Sequence, residues 1–146
     1  NKNDMYNIFL QSHSGFRYLV ILFLFFSLIW SFVSWLRASK FSKFDNIMNL
    51  ITTITFHLQF LAGLILYFIS PFVIFQKEAL SNKIISYWTI WHVLIMLIAV
   101  VLITITRIMV KRLKDDTEKH KRIAIHYLLV IIIVFSALLM SGRGIM

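Results

Sequence analysis

Long apolar runs separated by short polar segments dominate the chain. Four of these runs are long enough to cross the hydrocarbon of a bilayer, which takes about 20 residues in a helix. They predict membrane spans at 16–36, 47–70, 84–106 and 123–140. The single proline, Pro71, ends the second run, and short polar segments join the spans. The pattern therefore predicts an all-α, transmembrane four-helix bundle with up-down topology, formed by one integral membrane domain over residues 1–146.

Composition agrees with a membrane protein and excludes several other classes. Of the 146 residues 60% are hydrophobic and 14% are charged, whereas soluble domains have about 25% charged residues. The absence of cysteine excludes disulfides, iron–sulfur clusters, thiolate metal sites and the attachment of c-type haem. The net charge of +9 does not indicate nucleic-acid binding, because the positive residues gather in two loops and not on a basic face. No arrangement of serine, lysine or carboxylate indicates a hydrolase, so we expect no independent catalytic site.

The distribution of Lys and Arg predicts the orientation of the bundle. Of the 15 such residues, three follow the first span and seven lie in the segment between the third and fourth spans. Loops rich in Lys and Arg usually stay in the cytoplasm. We therefore expect a multi-pass protein of the bacterial inner membrane with both termini on the periplasmic side.

One histidine lies in or beside each predicted span. An ionisable side chain is costly inside a bilayer unless something binds it, and His57 lies in the middle of a run without charges. By depth, the histidines form an inner pair, His57 and His126, and an outer pair, His13 and His92. Each pair joins alternate spans, which are diagonal in a ring of four helices, so each is predicted to hold the iron of a haem b in the bundle interior. The depths within a pair differ by about 10 Å, which leaves the pairing of His57 with His92 open.

Polar and small residues share a helical stripe with each histidine, which indicates that the stripes face the bundle interior. The stripes are His13, Arg17, Ser27 and Ser31; Asn46, Thr53 and His57; Thr89, His92, Ala99 and Thr106; and His126, Ile133 and Ala137. Arg17 is predicted to bind haem propionates at the outer surface, and Arg107 or Arg122 at the inner surface. The alternatives are hydrogen bonds from the histidines to neighbouring helices and an anchoring role for the inner arginines. His120, in KHKR, is expected to be solvated.

Four stretches of the chain resemble a known family. They are HSGFRYLVILFL from His13, FHLQFLAGLILYFISP from Phe56, WHVLIMLIAVVLITITR from Trp91 and KHKRIAI from Lys119. In order and spacing they are similar to segments of a family of small four-span membrane proteins of Bacteroidetes that is labelled cytochrome b-like. The resemblance implies a protein that binds b-type haem, with His13, His57 and His92 at positions where the family has histidine.

Two functions follow from these patterns. In the first, the protein is a b-type cytochrome with one or two haems that passes electrons within the bilayer. It is then expected to be part of a larger respiratory or redox complex, with quinol as a candidate electron donor. Ligation by two histidines leaves no open iron site, which favours electron transfer over oxygen chemistry. In the second, it is a haem-free accessory or scaffold subunit of a membrane assembly. A proton path is less favoured, because the predicted spans contain no acidic residue.

Overall fold

The computed structural model describes residues 1–141 and contains four long helices. They are α1, Lys2–Leu36; α2, Lys43–Ile69; α3, Lys83–Arg112; and α4, Asp116–Met140. Each is long and apolar enough to cross a membrane, which confirms the predicted all-α four-helix architecture. Every helix begins before the corresponding apolar run, and α1 includes the segment 2–14, of mixed polarity, as its first turns.

Local sequence signals explain where the helices begin and end. The Ser42 and Asp45 side chains each accept a hydrogen bond from the other residue's backbone N–H and so form a capping box at the start of α2. Pro71 cannot continue a helix, and α2 ends at Ile69. We call the end of the bundle with connections 37–42 and 113–115 the inner end, and the opposite end the outer end.

The four helices form a ring in which helices consecutive in the chain are also neighbours in space. Helix α1 packs against α2 and α4, and α3 packs against α2 and α4. The two diagonal pairs are therefore α1 with α3 and α2 with α4, as the up-down topology predicts.

The interior has an apolar part and a polar part. Helices α1, α3 and α4 supply most of its apolar part, with Leu24, Ile103 and Val130 almost completely buried, and α2 adds Phe56. A polar contact joins α1 and α2: the hydroxyl oxygens of Ser27 and Thr52 lie 3.0 Å apart in the interior. Hydrogen bonds between polar side chains of this kind help membrane helices to associate, because lipid offers polar groups no partners.

Candidate functional site

The two histidines of the predicted inner pair do not converge. His57 on α2 is exposed, and its Nε2 lies 2.8 Å from Oγ1 of Thr104 on α3. His126 on α4 is half-buried, and its Nδ1 lies 2.8 Å from Oγ1 of Thr106 on the same helix α3. Positions two apart in a helix point in directions roughly 200° apart, so the two imidazoles contact opposite sides of α3. The prediction that His57 faces the interior is therefore wrong. The same prediction is wrong for Asn46, which was placed on the same stripe and is exposed.

In both contacts the imidazole is the hydrogen-bond donor. The Thr104 hydroxyl donates to the carbonyl oxygen of Val100 at 2.8 Å, and the Thr106 hydroxyl donates to that of Leu102 at 2.7 Å. A hydroxyl has only one hydrogen, so each threonine has only acceptor lone pairs left for the ring that faces it. Both histidines thus adopt the alternative role considered for them, a hydrogen bond to a neighbouring helix.

A polar cluster occupies the place predicted for an inner haem. Asn49 on α2 donates from Nδ2 to the Tyr127 hydroxyl oxygen on α4 at 2.7 Å, and Arg107 on α3 donates from Nη1 to Asn49 Oδ1 at 2.9 Å. Asn49 and Tyr127 are 1% and 0% exposed. Because these side chains connect the diagonal helices α2 and α4 directly, the inner half of the bundle does not fit a haem between its two histidines.

The residues of the predicted outer pair line one cavity. A cavity of about 160 Å³ lies at the outer end of the bundle and is lined by residues of all four helices. His13 on α1 and His92 on α3 both line it, together with Arg17 and Gln59. The structure therefore brings three predicted site residues to a common space, and Gln59 is an addition that the sequence did not single out.

Several contacts place His13 at this cavity. A Cβ atom at Gly63 on α2 would lie 3.1 Å from Cε1 of His13, so the glycine leaves room for the ring. The Gln59 amide donates from Nε2 to the His13 carbonyl oxygen at 2.8 Å. Among the described residues, His13 Nδ1, Arg17 Nε and Gln59 Oε1 are buried without a hydrogen-bond partner. Such atoms are rare in folded proteins, and three of them at one cavity indicate a place for a polar ligand.

A π-helical segment, Tyr87–Trp91, precedes His92 in α3. The His92 N–H donates to the Tyr87 carbonyl, five residues earlier, and π-segments of this type are frequent at functional sites. The Tyr87 hydroxyl donates to the Ala137 carbonyl oxygen at 2.6 Å and lies 3.3 Å from His92 Nδ1. Since the phenol hydrogen is directed to Ala137, the hydrogen of the weaker contact comes from His92 Nδ1. The Trp88 ring lies beside the imidazole, with 4.9 Å between ring centroids.

The connection between α2 and α3 closes one side of the cavity. The Tyr67 hydroxyl donates to the Thr89 carbonyl oxygen at 2.9 Å. The Ile74 N–H donates to Thr89 Oγ1 at 3.0 Å. Phe72 and Val73, next to Ile74, line the cavity. The irregular backbone of this connection is therefore tied to the π-segment beside His92.

The outer cavity is lined by the types of side chain that a b-type haem would need, but its volume in this conformation is too small for one. Two imidazoles and a guanidinium are the groups that ligate haem iron and pair with a propionate. The cavity volume, about 160 Å³, is below the roughly 300–1,000 Å³ of typical ligand sites. Binding a macrocycle therefore requires the helices around the cavity to separate. No residue of 1–12 is buried, so the turns of α1 before His13 can move at the lowest cost.

No direct metal site accompanies this cavity in the part of the chain that the structure describes. Within residues 1–141, no group of three or more His, Asp or Glu side chains is arranged to hold a metal ion. Haem iron needs only two histidine ligands from the protein, so a group of three or more such side chains is not required for a haem site.

His120 is another prediction that the structure corrects. The residue is 0% exposed. Its ring lies 5.2 Å from that of Phe41, between centroids, and its Nε2 lies 3.4 Å from the Lys40 carbonyl oxygen. The expected solvated loop residue is therefore a buried residue of the first turns of α4, where it contacts the connection between α1 and α2.

Comparison with known proteins provides no relative. No protein-family model, no curated protein and no solved structure matches the chain. Membership of the cytochrome b-like family therefore stays a prediction from the resemblance of the four stretches.

Proposed function

We propose that this protein is a membrane cytochrome that binds one haem b in the outer cavity and passes electrons within the bilayer. The imidazoles of His13 and His92 would hold the haem iron. The observation that supports it most directly is their common cavity, which Arg17 also lines and where three buried polar atoms have no hydrogen-bond partner within residues 1–141.

Each residue of the cavity has a role in this proposal. When bound, the haem would supply one-electron chemistry, with His13 and His92 as the residues that hold it. Arg17 pairs with a propionate, because a guanidinium binds carboxylates with two parallel hydrogen bonds. Gln59 holds the His13 backbone in place. Apolar residues such as Phe56 and Met96 line the remaining surface and exclude water.

The proposal has one haem and not two. The inner half of the bundle is occupied by the cluster of Asn49, Tyr127 and Arg107. His57 and His126 donate hydrogen bonds to threonines of α3 there, so they are interhelical contacts in this proposal and not iron ligands. Arg107 likewise has amide oxygens as partners, and we assign it no propionate.

The protein acts in the bacterial inner membrane in this proposal, with both termini on the periplasmic side. The segments around the two inner connections, 37–45 and 107–122, contain ten Lys and Arg residues and four Asp and Glu residues. Segments with such an excess of Lys and Arg usually stay in the cytoplasm. A single haem near one surface needs a donor and an acceptor, so a larger redox complex is the expected setting and a quinol is a candidate donor.

One observation favours the alternative, a haem-free accessory subunit of a membrane assembly. The His57 ring is exposed near the middle of α2, and among the described residues its Nδ1 makes no hydrogen bond. Lipid cannot satisfy this nitrogen, and polar groups of membrane helices usually face other helices. The surface at His57 would then contact a helix of another subunit.

Visible spectroscopy separates the two functions. The protein is expressed with ample haem and purified in detergent, and its spectrum is recorded oxidised and after reduction with dithionite. We expect the reduced spectrum of a bis-histidine b-type haem at one haem per chain. His13→Ala and His92→Ala should each lose it, whereas the matched variants His57→Ala and His126→Ala should retain it. A colourless wild-type protein would favour the accessory subunit, and equal loss in all four variants would contradict the assigned ligands.

A further inference from the structure

Arg107 has a fixed position in the groove between α2 and α3, close to the inner end. Its Nη1 donates to Asn46 Oδ1 at 2.8 Å and to Asn49 Oδ1 at 2.9 Å, and lies 3.4 Å from the Asn46 carbonyl oxygen. Asn49 is itself held by its hydrogen bond to Tyr127. The guanidinium is therefore oriented by groups of the bundle and does not project freely into solvent.

No carboxylate side chain neutralises Arg107. All six Asp and Glu of the chain lie within residues 1–141, and the ion pairs found there join Glu118 to Lys121 and Arg122. Asp45 is next to Asn46 in sequence, but it points to α1, where it accepts a hydrogen bond from Trp30 Nε1 at 2.7 Å. Arg107 thus has neutral amide partners and an unbalanced charge, which favours an anionic ligand from outside the chain.

The depth of Arg107 corresponds to the boundary between hydrocarbon and lipid headgroups. It lies five residues before the end of α3 at Arg112, which is about 8 Å along the helix. Its partner Asn46 directly precedes the apolar run that begins at Ile47. Arg107 is half-buried, and its Nε and Nη2 make no hydrogen bond among the described residues. Two donors in the fork geometry that fits phosphate oxygens are therefore available at headgroup depth.

We propose that the groove beside Arg107 binds the phosphate of an anionic phospholipid. The phosphodiester accepts hydrogen bonds from Nε and Nη2, while Asn46 and Asn49 hold the guanidinium in place. The excess of Lys and Arg at the inner end favours lipids with a net negative charge over zwitterionic ones. This site is independent of the outer cavity and of haem.

Lipid titration of the full chain tests the site. The purified protein is titrated in detergent with phosphatidylglycerol, and bound lipid per chain is counted by native mass spectrometry. The matched variants are Arg107→Gln and Arg112→Gln, which remove the same charge from the same helix. Arg112 is exposed and forms no ion pair with the described carboxylates. We expect about fivefold weaker binding of phosphatidylglycerol for Arg107→Gln and little change for Arg112→Gln.

Three further measurements decide the outcome. Arg107→Lys keeps the charge but lacks the fork, so it should bind at an intermediate level, and it serves as the folded variant if Arg107→Gln does not fold. Phosphatidylcholine should compete weakly for the site. Inorganic phosphate at millimolar concentration should not displace the lipid; displacement would show a site for free phosphate and overturn the lipid assignment. Equal effects of the Arg107 and Arg112 variants would show that the lipid responds only to the overall positive charge of the inner end. That result, or no effect of either variant, would also overturn the proposed site.

Discussion

The Asn49 amide and the Tyr127 hydroxyl are joined by a 2.7 Å hydrogen bond that crosses the diagonal of the bundle, from α2 to α4. Both residues are almost completely buried. In a bilayer no water competes for this bond. It therefore holds the inner halves of two diagonal helices close together, and the cavity of the bundle lies in the outer half.

Tyr127→Phe should destabilise the protein. The substitution leaves the buried Asn49 amide without its acceptor, and we expect the free energy of unfolding to fall by about 1–3 kcal/mol. Equilibrium unfolding in mixed detergent micelles measures the change. Tyr6→Phe is the control, because among the described residues the half-buried Tyr6 makes no hydrogen bond through its phenol. Equal stability of the two variants would show that the diagonal bond contributes little.

Gly63→Ala should weaken haem binding if the proposed cytochrome is correct. The added methyl group would lie 3.1 Å from His13 Cε1, so the imidazole must shift by a few tenths of an ångström. Changes to the residues that orient a metal ligand typically cost about 10–100-fold in affinity, and we expect a loss of about tenfold in haem titrations. Gly15→Ala is the matched control, because a Cβ at Gly15 meets no atom within 4 Å. If both variants bind haem like the wild type, His13 is not held by Gly63 in the bound form.

Asp45→Asn should destabilise the junction of α1 and α2. The carboxylate accepts hydrogen bonds from Trp30 Nε1 and from the backbone and hydroxyl groups of Ser42, each at 2.7 Å. An amide offers one acceptor oxygen in place of two and adds hydrogens that face these donors. We expect a loss of about 2 kcal/mol in the free energy of unfolding. Asp4→Asn, at the exposed start of α1, should change it by less than about 0.5 kcal/mol; similar losses in both would contradict a specific role for Asp45.

The existence of the helices could be predicted from the sequence, while the direction of individual side chains was predicted only in part. A charge-free apolar run has few alternatives to a membrane helix, and buried Ser27, Ser31, Thr89 and Thr106 follow the predicted stripes. On α2, a second polar stripe, Asp45, Asn49 and Thr52, lies beside the predicted stripe of Asn46, Thr53 and His57. The structure buries the one with Asn49, because Asn49 gains partners on both α3 and α4, and this rotation leaves His57 at the surface.

The burial of His120 and the position of Gly63 could also have been predicted from helical spacing. His120 lies three, four and seven residues before Ile123, Ala124 and Tyr127, all of which are buried on α4. This spacing is that of one buried helix face, but the charged neighbours in KHKR suggested a loop. Gly63 similarly lies seven residues after buried Phe56. The π-segment before His92 has no comparable signal, because it depends on contacts with α4 and with the connection after α2.

The orientation of the bundle is testable because the chain has no cysteine, so single-cysteine variants have no background. Ser39→Cys lies in the connection between α1 and α2 at the inner end, and Ser81→Cys lies in the connection between α2 and α3 at the outer end. The positive-inside tendency places the first in the cytoplasm and the second in the periplasm. A membrane-impermeant maleimide should therefore label Ser81→Cys in intact spheroplasts and Ser39→Cys only after permeabilisation. The reverse pattern would place the outer cavity at the cytoplasmic surface and the Arg107 groove in the outer leaflet, and it would contradict the proposed orientation.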